Sequence, residues 1–327
     1  MEATIPPDVL EHRVPLARTP TPLQHLERFS GWLGAEVWVK RDDLTGLGLS
    51  GNKVRKLEFH LRRALDVGCT AVVTCGGVQS NHCRATVLAA RRLGLQPAVV
   101  LRGDPPAVPD GNLLLDRLAG ARVTWCTPEA YGDRGAPVLE AAAEALRADG
   151  LRPWIVPEGG SDALGALGYV RAAHEVAAQI DAPFDAVVLA VGSGGTLAGL
   201  AAGPGIGPLV GMAVCDDTPT FEAIVRRVGR QAAERAGAPW SEEGWRVLDA
   251  YRGEAYGVAS PEVWSLVRRI ARDEGLLLDP VYTGKALHGL VGEVRAGRLG
   301  GRVLLWHTGG AFGLFGRGAE ALAGAGA

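Results

Sequence analysis

The sequence has 327 residues, of which 47% are hydrophobic, and it carries a formal net charge of −2 at pH 7 with a pI of about 6.4. Because there is no basic excess, neither nucleic acid nor an anionic membrane is expected as a partner. The length is sufficient for roughly two domains, each with its own hydrophobic core.

The N-terminal segment and the cysteines point to the same compartment. The segment carries acidic residues and prolines where a secretory signal would have a continuous apolar stretch, so we expect a cytoplasmic protein. The cysteines are odd in number and show neither a C-x-x-C pair nor the spacing of a metal site. We therefore expect reduced thiols and no bound metal; the cysteines are Cys69, Cys75, Cys83, Cys126 and Cys215.

Strand-like runs of Val, Leu and Ala alternate with Ala/Leu/Arg-rich segments of helical length along most of the chain. This alternation is typical of an α/β fold, and the unbroken hydrophobic runs indicate parallel sheets covered by helices on both faces. Several runs end in glycine and small polar residues, where ligands bind in such sheets. We predict strands at AEVWVK (35–40), TAVVTCG (70–76), PAVVLRG (97–103), ARVTWC (121–126), PWIVPEG (153–159), DAVVLAVG (185–192), LVGMAVC (209–215) and RVLLWHTGG (302–310).

Lysine is scarce in this chain. Lysines and arginines number 34 together, but the lysines are only Lys40, Lys53, Lys56 and Lys285. The segment before Lys53, GLGLSGN, does not match the phosphate-binding P-loop motif, because Asn52 stands where that motif requires lysine. An amine at the start of a helix can instead form a Schiff base with a carbonyl, since the helix N-terminus depresses its pKa. The alternative is an ordinary solvated cation.

The segment QSNH places a hydroxyl, an amide and an imidazole at a predicted helix start, on Ser80, Asn81 and His82. Side chains at such a position can contact a ligand at the end of the preceding strand. The alternative is that Ser80 or Asn81 serves only as the N-cap of the helix, a position that both residue types favour.

The glycine-rich segment VGSGGT (191–196) follows a predicted strand and can wrap an anion with its backbone N–H groups. A phosphate site and a plain strand-to-helix turn are equally compatible with it. A dinucleotide site is weaker, because Leu197 stands where G-x-G-x-x-G requires glycine, although Asp216 and Asp217 follow the next strand. A Schiff-base lysine together with a phosphate site is what pyridoxal phosphate requires.

Five segments together resemble, in order and spacing, the pyridoxal-phosphate enzymes of the D-cysteine desulfhydrase and 1-aminocyclopropane-1-carboxylate deaminase family. They are SGNKVRKLE, GGVQSNH, VGSGGT, LLDPVYTGKALHGL and HTGG. The resemblance implies the tryptophan synthase β-subunit fold, with two domains of parallel twisted sheets flanked by helices, and pyridoxal 5′-phosphate bound between them. It implies a large cofactor domain of residues 1–55 and 166–327, and a small inserted domain of residues 56–165.

The same resemblance implies roles for single residues. Lys53 would hold the cofactor and move the substrate's Cα proton. Ser80 would bind the substrate carboxylate and Asn81 the cofactor's phenolic oxygen. Tyr282 would stack on the pyridine ring, and Tyr256 resembles a second active-site tyrosine. The phosphate would lie at Gly192, Ser193, Gly194, Gly195 and Thr196, Thr308 would contact the cofactor, and His82, Thr283 and Gly309 would line the substrate site with Ser80 and Asn81.

Two threonines separate the branches of this family. Deaminases of the cyclopropane substrate carry Glu after the stacking tyrosine and HLGG near the end, where this chain has Thr283 and Thr308. A hydroxyl near the ring nitrogen leaves the pyridine unprotonated, a weaker electron sink that suffices for β-elimination. We therefore expect a homodimeric lyase that acts on a small amino acid, with D-cysteine as the leading candidate.

Other functions remain open at this point. Within the family, the alternatives are an L-cysteate sulfo-lyase and a 1-aminocyclopropane-1-carboxylate deaminase. Outside it, the alternative is a nucleotide-binding Rossmann oxidoreductase, or a non-catalytic module of that type, built on VGSGGT.

Overall fold

The computed structural model describes residues 8–323, which form two mainly parallel sheets and the helices around them. All eight runs predicted as strands are strands, which confirms the α/β class. The strands are β1 (Leu23–His25), β2 (Glu36–Arg41), β3 (Ala71–Gly77), β4 (Gln96–Arg102), β5 (Arg122–Cys126), β6 (Pro153–Ile155), β7 (Ala186–Val191), β8 (Leu209–Ala213), β9 (Trp245–Leu248) and β10 (Arg302–His307). The helices are α1 (Glu27–Leu33), α2 (Asn52–Asp66), α3 (Asn81–Arg92), α4 (Gly111–Leu118), α5 (Pro128–Tyr131), α6 (Ala136–Ala148), α7 (Ala163–Ala177), α8 (Gly195–Ala201), α9 (Thr218–Ala236), α10 (Pro261–Glu274), α11 (Thr283–Arg295), α12 (Phe312–Phe315) and α13 (Gly318–Leu322).

The larger sheet has six strands in the order β1-β2-β10-β7-β8-β9, and the smaller has four in the order β5-β4-β3-β6. Neighbouring strands are parallel throughout, except for the pair β1 and β2. Strands β1 and β9 were not predicted. They are three and four residues long and half exposed, so they lack the unbroken apolar run that marks the other strands.

Strand β7 lies inside the larger sheet and is buried along its whole length. Its sequence, AVVLAV, shows no polar alternation because helices cover both of its faces. Val187 and Leu189 belong to a core with residues of α7, α8 and α9. Val188 and Ala190 belong to the opposite core, with residues of α10 and α11. The carboxyl end of β7 is thus held rigidly from both sides.

The strands of the two sheets come from the same parts of the chain as the two predicted domains. All strands of the smaller sheet lie between residues 56 and 165, and all strands of the larger sheet lie outside that range. The boundaries themselves fall inside helices α2 and α7, which pack against each other. A Cβ at Gly168 of α7 would collide with the backbone carbonyl of Arg55 in α2. The exact domain boundaries stay a prediction.

Helix α2 is anchored by a buried ion cluster. Arg55 donates to the carboxylate of Asp42 at 2.7 and 3.0 Å. Tyr169 and Trp306 donate to the same carboxylate at 2.6 and 2.9 Å. Burial alone would raise the pKa of Asp42, but the positive charge of Arg55 holds it at about 2. Because these bonds join α2 to α7 and β10, they fix the position of Lys53, two residues before Arg55.

Three further observations concern the described residues 8–323. No helix there is both long and apolar enough to cross a membrane. The same part of the chain contains no cluster of His, Cys, Asp and Glu that could hold a metal ion. The five cysteines are free thiols.

Candidate active site

A cavity of about 680 Å³ lies at the carboxyl ends of strands from both sheets. Residues at or just after the ends of β3, β4, β7, β8 and β10 line it, as expected for a ligand site in an α/β fold. All the predicted site residues line this cavity except Thr283 and Gly195, and Gly195 belongs to the glycine turn between two lining residues. Those lining the cavity are Lys53, Ser80, Asn81, His82, Gly192, Ser193, Gly194, Thr196, Tyr256, Tyr282, Thr308 and Gly309.

Lys53 is the second residue of α2, and the preceding turn fixes where its side chain begins. Gly51 adopts a φ of +93°, and a Cβ there would lie 2.7 Å from the carbonyl oxygen of Thr308. The N–H of Asn52 donates to the same oxygen at 3.0 Å. Glycine is therefore required at position 51. Removal from water lowers the pKa of Lys53 to about 8, against the opposing effect of two nearby carboxylates.

The other three lysines are buried and hydrogen-bonded. Lys40 donates to the carboxylate of Glu175 at 2.6 Å, and Lys285 donates to three backbone carbonyls at 2.6–3.2 Å. Lys56 donates to a carbonyl and a hydroxyl at 3.2 and 2.9 Å. Lys53 has no such partner among the described residues. It is the lysine whose amine is available to a ligand, and none of the four is a surface cation.

Helix α3 begins at the QSNH segment and brings three polar side chains to the cavity. The Oγ of Ser80 accepts the N–H of Cys83 at 3.2 Å, so Ser80 is the N-cap and its hydroxyl hydrogen is still free for a ligand. The side-chain oxygen of Asn81 accepts from Asn112 at 3.2 Å, which leaves its NH₂ group for the cavity. Burial lowers the pKa of His82 well below its ordinary value, so its imidazole is neutral.

The glycine turn after β7 presents backbone donors without partners. The N–H groups of residues 193–196 have no hydrogen-bond acceptor among the described residues. Gly194 adopts a φ of +80°, and a Cβ there would lie 2.7 Å from Ile224 of α9. The Oγ of Thr196 accepts from the amide of Asn52 at 3.1 Å, which joins this turn to the start of α2. Adjacent free N–H groups of this kind suit an anion.

Two tyrosines form the wall next to the glycine turn. Tyr282 lies against Gly192, where a Cβ would approach the tyrosine ring to 2.9 Å. The hydroxyls of Tyr256 and Tyr282 are 2.6 Å apart. Desolvation raises the pKa of Tyr256 to about 12, so this phenol is protonated at neutral pH. Thr308 and Gly309, at the end of β10, complete the wall.

Thr283, which was predicted to line the substrate site, does not line this cavity. Thr283 is fully buried, and its hydroxyl donates to the carboxylate of Asp279 at 2.7 Å and accepts the Asp279 N–H at 2.9 Å. This pairing belongs to the N-terminal turn of α11 and directs the hydroxyl away from the cavity. At Gly195 a Cβ would meet Ser161 at 2.7 Å, so this residue takes part in the glycine turn through its backbone N–H alone.

Several charged and aromatic residues of the cavity were not predicted. Arg102 and Glu158 stand near the carboxyl ends of runs predicted as strands, so the strand-end rule could have identified them. Tyr131 donates to Glu158 at 2.6 Å. Arg134 lies in the loop between α5 and α6 and forms an ion pair with Asp216 at 2.8 Å. This ion pair connects the side of the cavity formed by the smaller sheet with the side formed by the larger sheet. No motif around Arg134 signals this contact.

A family model described as "Pyridoxal-phosphate dependent enzyme" matches residues 14–309. The chain belongs to this family. A Thermotoga maritima protein named "Putative 1-aminocyclopropane-1-carboxylate deaminase" is 44% identical over 310 residues, covering 93% of this chain and 97% of the relative. The mitochondrial bifunctional D-cysteine desulfhydrase/1-aminocyclopropane-1-carboxylate deaminase of Arabidopsis thaliana is 40% identical over 324 residues, with 93% and 79% covered. A solved structure of an ACC deaminase homologue superposes with a TM-score of 0.87 at 40% identity, covering 97% and 99%.

These relatives belong to the family of pyridoxal-phosphate enzymes that the motifs indicated, so the chain is a pyridoxal-phosphate-dependent lyase. The residues of the cavity fit that cofactor. Lys53 would hold its aldehyde carbon, the free N–H groups of residues 193–196 its phosphate, and the NH₂ group of Asn81 its phenolic oxygen. The ring of Tyr282 would lie against the pyridine. Family membership therefore decides against the nucleotide-binding alternative for VGSGGT.

Proposed function

We propose that this lyase converts D-cysteine into pyruvate, sulfide and ammonia by β-elimination. The observation that supports this most directly is the wall formed by Tyr282 and Thr308, which offers a hydroxyl and no carboxylate. The carboxylate of Asp279, next to this wall in the chain, is occupied by hydrogen bonds from three backbone N–H groups and the Thr283 hydroxyl. A pyridine nitrogen bound beside this hydroxyl would lack the carboxylate that favours its protonated form.

The weaker electron sink that results is adequate when a good leaving group departs from Cβ. Sulfide is such a group, whereas opening a cyclopropane ring requires more electron withdrawal. The name of the Arabidopsis relative joins a D-cysteine activity to a deaminase activity, so both occur among similar proteins. In this chain the threonine at position 308 favours the D-cysteine activity.

The residues of the cavity bind the substrate and transfer the protons that β-elimination requires. Bound pyridoxal phosphate provides the electron sink for the pair released at Cα. Lys53, with a pKa of about 8, takes the Cα proton as general base. The free hydroxyl hydrogen of Ser80 and the N-terminus of α3 bind the substrate carboxylate. Tyr256, protonated at neutral pH, donates a proton to the departing sulfur.

The reaction balances with water as the only co-reactant. The Cα–H bond breaks and its proton passes to Lys53. The Cβ–S bond breaks with both electrons on sulfur, which leaves as hydrogen sulfide after protonation. The three-carbon fragment takes up one water molecule and releases ammonia and pyruvate.

A side-by-side assay of the purified holoenzyme tests the proposal. The value of kcat/KM is measured for D-cysteine, L-cysteine, L-cysteate and 1-aminocyclopropane-1-carboxylate. We expect the highest value for D-cysteine, with equal amounts of sulfide and pyruvate, and little 2-oxobutyrate from the cyclopropane acid. The highest value for L-cysteate would make the enzyme a sulfo-lyase. The highest value for the cyclopropane acid would show that the argument from Thr308 is wrong.

A further inference from the structure

Arg102, the last residue of β4, lines the cavity and has no ion-pair or hydrogen-bond partner for its guanidinium among residues 8–323. Its guanidinium carbon lies 4.9 Å from the ring centroid of Tyr131 and 5.9 Å from that of Tyr256. The contrast with Arg134 is clear, because Arg134 lines the same cavity but pairs with Asp216 at 2.8 Å. Arg102 is thus a cation held in place by aromatic rings rather than by an acid.

This mode of attachment has a chemical consequence. A cation–π contact stabilises the charge of a guanidinium but does not supply acceptors for the N–H groups along the edge of its plane. A guanidinium fixed in this way is prepared to bind two oxygens of one anion in parallel. Its five N–H donors are therefore available to a ligand that enters the cavity.

The position of Arg102 indicates which part of a ligand it meets. Arg102 pairs in register with Gly77 of β3, three residues before Ser80. A Cβ at Gly77 would lie 3.8 Å from the ring of Tyr256, and the Tyr256 hydroxyl touches that of Tyr282. Arg102 consequently stands beside the start of α3 and behind the tyrosine pair, on the side where the amino-acid substrate would be bound.

We propose that Arg102 is a substrate-binding residue of this lyase and binds an oxyanion of the amino-acid substrate. The inference rests on the proposed function only in taking an amino acid as the ligand. The oxyanion has two possible sources, the α-carboxylate that every amino acid carries and an anionic group on Cβ. Both present two or more oxygens to the guanidinium edge, so the shared chemistry is bidentate oxyanion recognition.

The test uses holoenzyme and ligands that cannot undergo β-elimination, so its result does not depend on turnover. Alanine, which carries only the α-carboxylate, and aspartate, which adds an anionic group on Cβ, are titrated by calorimetry in both hands. The variants are Arg102→Leu and Arg102→Lys. Arg92→Leu is the matched control, because Arg92 is exposed at the end of α3 and pairs with no carboxylate in the part of the chain that the structure describes.

We expect Arg102→Leu to weaken binding by about 10- to 100-fold, the usual effect of losing a hydrogen-bonded charge, and Arg102→Lys to weaken it less. Arg92→Leu should bind as the wild type does. Equal loss for alanine and aspartate assigns the site to the α-carboxylate, and loss for aspartate alone assigns it to an anionic Cβ group. Unchanged affinity for both ligands overturns the proposal.

If Arg102→Leu does not fold or loses the cofactor band, Arg102→Lys decides alone, since lysine cannot present the bidentate edge. Wild-type affinity in that variant overturns the proposal, and weaker affinity supports it. Failure of the enzyme to release sulfide from D-cysteine would contradict the proposed function and would leave these binding titrations unaffected. The two hypotheses are therefore tested separately.

Discussion

Lys53 has an amine that is partly unprotonated near neutral pH, because removal from water lowers its pKa to about 8. Attack on a carbonyl requires that form. We predict that Lys53→Ala gives no aldehyde-linked visible band when pyridoxal phosphate is added, and that turnover falls by about 10²- to 10⁴-fold or more. Borohydride reduction of the wild-type holoenzyme followed by peptide mapping provides the control. Cofactor attached at Lys40, Lys56 or Lys285 would contradict the assignment.

Gly194 controls the shape of the phosphate turn through its backbone. A Cβ at this position would lie 2.7 Å from Ile224 of α9, closer than real contacts allow, so the turn would have to shift. With a φ of +80°, any other residue also costs about 1–2 kcal/mol of backbone strain. Gly194→Ala should therefore raise the Kd for pyridoxal phosphate by about tenfold.

A cofactor titration measures this effect. Gly205→Ala is the matched control, because a Cβ at Gly205 would meet nothing within 4 Å. Affinity equal to that of the wild type in a folded Gly194→Ala variant would mean that the phosphate is bound elsewhere.

The roles of single residues could be predicted from the sequence to different extents. Lys53 could be identified because amine chemistry cannot be performed by the arginines that dominate this chain. Arg102 could be placed at a strand end, but its role could not be recognised, because it is one arginine among many and only its lack of an acidic partner sets it apart. The direction of the Thr283 hydroxyl was also inaccessible. A ligand and the nearby Asp279 carboxylate compete for that hydroxyl, and the sequence does not show which one is closer.

Helix α11 begins with a dense cap that also positions the stacking tyrosine. The carboxylate of Asp279 accepts the N–H groups of Val281, Tyr282 and Thr283 at 2.8–3.0 Å, together with the Thr283 hydroxyl. Thr283→Val removes that hydroxyl and leaves buried polar atoms of Asp279 with fewer partners. We predict a loss of about 1–3 kcal/mol in unfolding free energy, measured by denaturant titration.

The same variant should keep the KM for D-cysteine within about twofold, because Thr283 does not line the cavity. Thr308→Val, which changes a threonine of the cavity wall, is the comparison. A large rise in KM with unchanged stability in Thr283→Val would restore the original prediction that this hydroxyl meets the ligand.

Among larger elements, the buried strands were predictable because helices on both faces demand continuous apolar runs. The domain boundaries were not, since helices α2 and α7 pass through them without any linker signal. Helix α2 takes part in both halves. Val54 and Leu57 pack in a core with Val72 of the smaller sheet, whereas Arg55 bonds Asp42 beside the larger sheet.

The stability of the whole molecule should depend on one buried acid, Asp116 of α4. Both carboxylate oxygens of Asp116 lack a hydrogen-bond partner among the described residues. Burial raises its pKa from 3.8 to about 8, against the opposing charge of Arg84. Because the folded-state pKa lies above the unfolded one, the folded protein is favoured by protonation. The contribution of this group to the free energy of unfolding is fully present below pH 3.8, and it is lost as the pH rises through 8.

Asp116→Asn removes this titration. We predict that its unfolding free energy rises relative to the wild type by up to about 1.4 kcal/mol per pH unit between the two pKa values. Thermal unfolding from pH 4 to 9 measures the difference, with Asp104→Asn, an exposed aspartate, as control. A constant difference across this range would show that Asp116 is ionised in the fold.

At the scale of the whole molecule, the sequence located one shared cleft because strand ends rich in glycine recur in both halves. It could not show what joins the halves across that cleft. The ion pair between Arg134 and Asp216 and the hydrogen bond between Asn52 and Thr196 connect residues far apart in the chain. Such contacts depend on the relative placement of two sheets, which no local pattern encodes.

The burial of the lysines has a practical consequence. Lys40, Lys56 and Lys285 are each no more than 1% exposed, and the remaining lysine faces the cavity. An amine-directed reagent small enough to enter the cavity should therefore modify one lysine per folded chain, beside any free α-amino group. Coupling chemistries that immobilise or crosslink enzymes through surface lysines should fail on this protein. The native fold itself would then act as the protecting group that makes such a label site-specific.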